Sequence, residues 1–182
     1  KILIPKKIIH FSSMAVYPNE TGIYTETSEV RPSANNDCLY GLSKFCSENM
    51  LDFFLKKENM LVSHLRVGQV VGEGMCQDRI VPVMIKELRE RNTITVFGNG
   101  ERVTNFIDVK KVLSAVDCFI EKDRPGIFNV GDENMSLLKL AQQLIKKYGN
   151  KKSRIIKNSS GSRVKFYLNS AKLKKAIAGK QK

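Results

Sequence analysis

The 182 residues include no tryptophan, only two histidines and only five prolines. The four cysteines, Cys38, Cys46, Cys76 and Cys118, make no Cys-x-x-Cys pair and no cluster with histidine. That spacing argues against a zinc site and a disulfide framework, and for a reducing, cytoplasmic setting. His10 and His64 each sit in an apolar, strand-like run. Both are expected to be core or structural residues, because a metal site needs more ligands than the chain gathers. No apolar run approaches the roughly 18 residues of a membrane span. The opening "KILIPKKIIHFSS" has a basic flank and an apolar stretch, but prolines and lysines interrupt it and no small-residue cleavage site follows, so it does not read as a secretory signal.

Acidic residues are also scarce, 18 against 31 lysines and arginines, which leaves a formal charge of +13. Such a balance invites a nucleic-acid partner. Its distribution weakens that reading: the basic residues are scattered over helical patterns and concentrate after Lys146, without the interleaved aromatics of a single-strand groove. An anionic small ligand plus a lysine-rich solvated surface accounts for the charge more simply.

What is present is an alternation. "KKIIHFSS" ends a β-branched, apolar run on two hydroxyls and reads as a buried parallel strand. The segment 14–36, with Pro18, Gly22, Pro32, Asn35 and Asn36, reads as a loop long enough to be functional. From Cys38 to Lys57, Leu39, Leu42, Phe45, Cys46, Met50, Phe53 and Phe54 recur at helical spacing. Met60–Gly72 reads as one strand, "RIVPVMIKELRERN" as a helix, and "TITVFGNG" as a strand with a Gly-Asn-Gly turn. "FIDVKKVLSAVDCFIEK" predicts a helix capped by Asp108, and "GIFNVGD" a strand. A helix opened by Ser136 and closed by Gly149 follows, then an extended piece and a last helix capped by Asn169 or Ser170. Strand–helix alternation means an α/β layered sheet with right-handed crossovers. No Gly-x-Gly-x-x-Gly joins a strand to a helix, the usual way such sheets cradle a pyrophosphate.

Within "DCLYGLSKFCSE", Tyr40 and Lys44 lie four apart, so on a helix they share one face. A cation beside a phenol stabilises the phenolate and makes a base able to take a proton from an alcohol. Ser12 and Ser13 end the preceding strand, where ligands bind in α/β sheets. The bland alternative is a partly buried tyrosine beside a solvated lysine. Glu48 continues the same helical face.

Five segments in order resemble the extended short-chain dehydrogenase/reductases, in the branch of NAD-dependent nucleotide-sugar epimerases and dehydratases. They are "HFSSMAVYP", "YGLSKFCSE", "LRVGQVVGEG", "RIVPVMIKE" with "ITVFGNGERVTNFIDVKKV", and "GIFNVGDENMSLLKLAQQL". The resemblance implies a partial doubly wound, Rossmann-like parallel sheet. Residues 1–72 would be the second half of the dinucleotide-binding domain, and 73–182 mainly a substrate-binding α/β region interleaved with the sheet. It implies Tyr40 as general acid/base, Lys44 holding the cofactor ribose, and Ser13 bonding the reacting sugar oxygen. Ser12 and the backbone from Val67 to Gln69 would border the cofactor and sugar. Arg79 to Pro82, Val96 and Phe97 would flank the nucleotide, and Arg102 and Arg163 would meet the diphosphate. For each arginine the plain alternative is a solvated surface charge. NAD is the implied cofactor, with NADP left open. The partner is a nucleoside-diphosphate sugar, and a homodimer would form through the helix at 38–57.

Three departures narrow the chemistry. Met14 and Ala15 stand where the family's dehydratases carry an acidic pair, which favours an epimerase over water elimination, with a reductase as alternative. Gln69 replaces the usual asparagine, and Thr104 the usual arginine. The family's glycine-rich first half has no counterpart here, so the resemblance implies the catalytic and substrate half of a longer enzyme. A remnant without cofactor, acting as a basic binding module, is the remaining alternative.

Overall fold

The computed structural model describes residues 5–55, 58 and 60–178. In chain order the elements begin with β1 (Lys7–Ser13), β2 (Gly22–Tyr24), α1 (Cys38–Leu55), β3 (Leu61–Val67) and β4 (Gln69–Val71). Then come α2 (Ile80–Arg91), β5 (Thr93–Val96), β6 (Val103–Asp108), α3 (Val109–Glu121) and β7 (Gly126–Val130). The chain continues through β8 (Glu133–Ser136), α4 (Leu137–Tyr148), β9 (Arg154–Lys157), β10 (Phe166–Leu168) and α5 (Ala171–Ala178). The positions at 56–57 expected to extend the first helix lie outside the described residues.

The central sheet is parallel, in the order β1-β3-β7. Its register sets His10 opposite His64 and Ser12 opposite Arg66. Side chains alternate between the two faces of a strand. One face carries Leu65, Val67, Phe128 and Val130 into a core closed by Val112, Ala115 and Phe119 of α3 and Leu173 and Ala176 of α5. The other face presents His10, Ser12, His64 and Arg66 to α1, whose buried residues are Gly41 and Glu48. So the sheet rests on apolar packing on one side and on polar bonds on the other.

A second core lies beyond the sheet, where α2 and α4 close over β5, β6 and β8 through Met84, Leu88, Ile94, Val96, Phe106, Met135, Leu140 and Leu144. Smaller pairings complete the fold: β4-β6-β8, β5-β9 and β2-β10. Lys7 ties β1 to the end of α3. Its ammonium donates to the carbonyls of Phe119, Ile120 and Lys122 and pairs with Asp123 at 2.8 Å, matching a cation to the negative end of the helix.

The expected caps form. The Asp108 side chain accepts from the Lys110 N–H, Ser136 from the Lys139 N–H, and Asn169 from the Ala171 N–H. Several elements differ from expectation. The run 60–72 is two strands in different sheets, broken at Gly68, where a side chain would strike Asn105. Phe106 and Ile107, taken with the helix, belong to β6, while β8 and β9 were not foreseen. The loop 14–36 contains two 3-10 turns, at Met14–Val16 and Pro32–Ala34, and β2. β1 is less buried than its composition suggests: it forms one edge of its sheet and Phe11 is exposed.

Candidate active site

Ser13 closes β1 and caps the turn Met14–Val16, its Oγ accepting from the Ala15 N–H at 3.1 Å. That bond leaves the hydroxyl proton free to be donated elsewhere. The turn packs against the start of α1, and Gly41 makes the approach possible. A methyl group there would collide with the Ala15 carbonyl oxygen. Gly41 follows Tyr40 directly, so this backbone contact carries the phenol to the serine strand end.

Beneath the turn runs a buried polar network. Arg66, only 2% exposed, donates from Nε and Nη2 to the two carboxylate oxygens of Glu48 at 3.0 and 2.7 Å. Its Nη1 donates to the Tyr17 hydroxyl at 3.0 Å, which in turn donates to Asn129 Oδ1 at 2.8 Å. Asn129 Nδ2 then donates to the carbonyls of Tyr24 and Asn169. Burial works against the Arg66 charge, yet the bonds to Glu48 and Tyr17 outweigh it and hold its pKa above the ordinary value. Burial also pushes the Tyr17 phenol up, partly offset by Arg66. The network joins α1, the serine turn, β3 and β7 in one frame.

Above that frame opens a hollow of about 940 Å³. Ser13, Tyr40, Gln69, Arg79 and Arg102 all line it, as do Met14 and Ala15 of the turn. Tyr40 is half exposed, and the Lys44 ammonium stands 5.6 Å from its ring centroid. Ser12 lies on the α1 side of the strand with its Oγ buried and without a hydrogen-bond partner among the described residues. Val67 and Val96 are core residues whose side chains do not reach the hollow. Phe97 and Arg163 are exposed and sit around the contact of Gly98 with the 160–163 loop, off the lining. A smaller hollow, lined by Pro5, Lys7 and Leu61 among others, lies at the far end of β1.

The lining also holds Asn19, Asn35, Asp37 and Asp78, which sequence reasoning did not single out. The only signal for the first two was the length of the 14–36 loop. His10 and His64, expected to be structural, form a hydrogen-bonded pair under α1. Among the described residues no group of three or more His, Cys, Asp or Glu could hold a metal ion, and no helix is long and apolar enough to cross a membrane.

A parallel α/β sheet with a serine at a strand tip and a Tyr-x-x-x-Lys helix beside it defines a Rossmann-like fold of the dehydrogenase/reductase kind. A family model described as the NAD dependent epimerase/dehydratase family matches residues 2–131. The chain belongs to this enzyme family, which is NAD-dependent. Among curated relatives it is 30% identical over 145 residues to dTDP-4-dehydro-6-deoxyglucose reductase of Escherichia coli, covering 76% of this chain and 45% of that protein. It is 25% identical over 128 residues to dTDP-glucose 4,6-dehydratase of Xanthomonas campestris, covering 69% of this chain and 35% of the relative. Among solved structures, UDP-glucuronic acid 4-epimerase of Bacillus cereus, in complex with UDP-glucuronic acid and NAD, superposes with a TM-score of 0.77 at 24% identity. That match covers 94% of this chain and 55% of the epimerase. The chain thus spans about a third to just over half the length of these relatives.

Proposed function

We propose that the protein interconverts an alcohol and a ketone on a nucleoside-diphosphate sugar, and that this chain supplies the catalytic and substrate-facing half. The observation that carries the reading is that Ser13 and Tyr40 line one hollow, with Lys44 beside the phenol. Bound NAD supplies a hydride acceptor and donor. Tyr40 takes the hydroxyl proton as the alcohol is oxidised and returns it on reduction. Lys44 stabilises the phenolate by charge. Ser13 donates its free hydroxyl proton to the sugar oxygen, and so also holds it in line with Tyr40. The orphaned Ser12 Oγ, the exposed Tyr40 and the half-buried Lys44 fit the ribose and nicotinamide side of the cofactor. The sequence holds no glycine-rich loop for its pyrophosphate.

Arg79 and Arg102, both on the hollow, suit the diphosphate, where a guanidinium offers paired donors. Gln69 would meet the sugar, while Phe97 and Arg163 lie off the lining and carry no role in this reading. With Met14 and Ala15 on the lining, the turn offers no acid or base for eliminating water. Epimerisation through a transient keto sugar follows. A second reading, one-way reduction of a keto sugar, is favoured by the 30% identity to a reductase. In the intact enzyme the two separate cleanly: reduction consumes a reduced cofactor for each turnover, whereas epimerisation consumes none. Under both, Tyr40→Phe lowers turnover at least about 100-fold. Unchanged turnover removes Tyr40 from the mechanism.

We also propose a cytoplasmic enzyme that pairs through α1. The helix exposes Leu39, Leu42, Met50, Phe53 and Phe54, an apolar face of the kind that marks an interface. In the intact protein, Phe53→Glu should shift the sedimenting species from dimer to monomer. A monomer before mutation would end this reading.

A further inference from the structure

All 18 acidic residues lie in the first 133 positions, where they balance 17 lysines and arginines, whereas positions 134–182 hold 14 basic residues and no acid. The positive excess is therefore not spread over the chain. Part of it comes together at the far ends of two helices. α2 and α4 have 12 residues each, and each begins on the hollow, at Ile80 and Leu137. Their other ends lie about 18 Å further along the axis. There they meet: Asn150 Nδ2 donates to the Asn92 side-chain oxygen at 2.7 Å, and the Arg154 N–H to the Asn92 carbonyl at 3.0 Å. Around this junction stand Arg89 and Arg91 of α2, Lys146 and Lys147 of α4, and Lys151, Lys152 and Arg154 leading into β9, all exposed. The four helical cations suit the negative ends of their helices. The other three belong to no helix. Ion pairs among the described residues take up Lys7, Arg31, Arg66, Lys111 and Lys139, and none of these seven. The acids of these segments are Glu90, which is exposed, and Glu87, whose carboxylate is bonded to Thr95.

We infer that this face docks on an anionic phospholipid bilayer. A merely solvated surface mixes its lysines with acids, as the first 133 positions do. Clusters of four to eight lysines and arginines instead suit acidic headgroups. Two apolar side chains stand among the cations. Tyr148 is 42% exposed, with Lys147 Nζ 5.0 Å from its ring centroid. Ile156, 45% exposed, lies two positions from Arg154 and so shares its face of β9. Amphipathic side chains beside cations settle in the headgroup layer. A nucleic-acid track would set several aromatics among its cations for bases to stack on. Here Tyr148 is the single aromatic between positions 146 and 157. Docking at these helix ends leaves Arg79 and Leu137, at the opposite ends, clear of the bilayer. The inference uses no catalytic residue and stands apart from the sugar reading.

Flotation of the intact protein with vesicles tests the face. It should bind vesicles of phosphatidylglycerol mixed with phosphatidylcholine and ignore phosphatidylcholine alone. Raising salt from about 0.1 to about 0.5 M should release it, because exposed charges are then screened. Lys151→Gln, Lys152→Gln and Arg154→Gln combined should weaken partition about 100-fold, at about fivefold per charge. Lys152 and Arg154 bond to the fold through backbone N–H groups, which these substitutions keep. Three charges removed elsewhere, by Lys165→Gln, Lys174→Gln and Lys175→Gln, should leave partition within about twofold. Equal losses in the two triple variants would mean that net charge alone acts, and would overturn the face. So would absence of binding, or equal binding to neutral vesicles. If a labelled single-stranded RNA displaces the vesicles and the first triple variant loses that RNA, the partner is a nucleic acid and the bilayer is overturned. Turnover measured on the same samples decides the sugar reading separately.

Discussion

Arg66 holds a guanidinium that is 2% exposed between Glu48 and Tyr17, bonded to both. Glu48→Gln keeps the shape but leaves that charge without its counter-ion. Breaking a buried pair from one side costs about 3–5 kcal/mol. The variant should lose stability on that scale in urea unfolding, and an effect below about 1 kcal/mol would mean that the network carries little. The Tyr-x-x-x-Lys spacing was legible at this scale because both side chains stand on one local helix face. The pairing of Glu48 with Arg66 was not, since 18 positions separate them and only the packing of α1 against β3 brings them together. His10 and His64 were invisible as a pair for the same reason, 54 positions apart.

Among the elements, α1 departs furthest from the usual pattern. Its apolar residues recur at helical spacing, yet apart from Phe45 those residues face outward, and its sheet-facing ridge is charged. Hydrophobic periodicity located the helix without revealing which side it buries. In α3 and α4 the periodic apolar residues do face inward, so there sequence and structure agree. The strands missed, β2, β6, β8 and β9, are three to six residues long and carry little alternation, because neighbouring strands rather than local pattern define them. Gly41 sets how closely α1 sits on the serine turn. Gly41→Ala should push the helix off the Ala15 carbonyl, and in the intact enzyme lower turnover at least about tenfold, because small misplacements of a catalytic group are costly. Full activity in that variant would show that the backbone contact does not govern the site.

For the molecule as a whole, stability should be bounded by titration on both sides. The unfolded chain binds the His10 proton more readily than the folded one, since folding holds that imidazole down. Its contribution is therefore complete above about pH 6.5 and is lost as pH falls through the lower folded value. Tyr17 behaves oppositely: its phenol is raised, so its contribution is complete below about pH 10 and is lost as pH rises through the folded value. Melting temperatures across pH should trace a plateau with an acid shoulder that His10→Gln flattens. A shoulder unchanged by that variant would assign it to other groups. The wider architecture was readable as strand–helix alternation. The division into four sheets was not: the break between β3 and β4, for one, falls at Gly68 where a side chain would strike Asn105, a contact between distant segments.

The contact between Gly41 and Ala15 has one more consequence. Two main chains, not two side chains, define the gap between the phenol and the serine. Positions 14 and 15 can therefore exchange their side chains while the spacing holds. Evolution could install or delete an acid on that turn and, under the proposed function, so change which bond of the substrate is broken, without rebuilding the scaffold beneath.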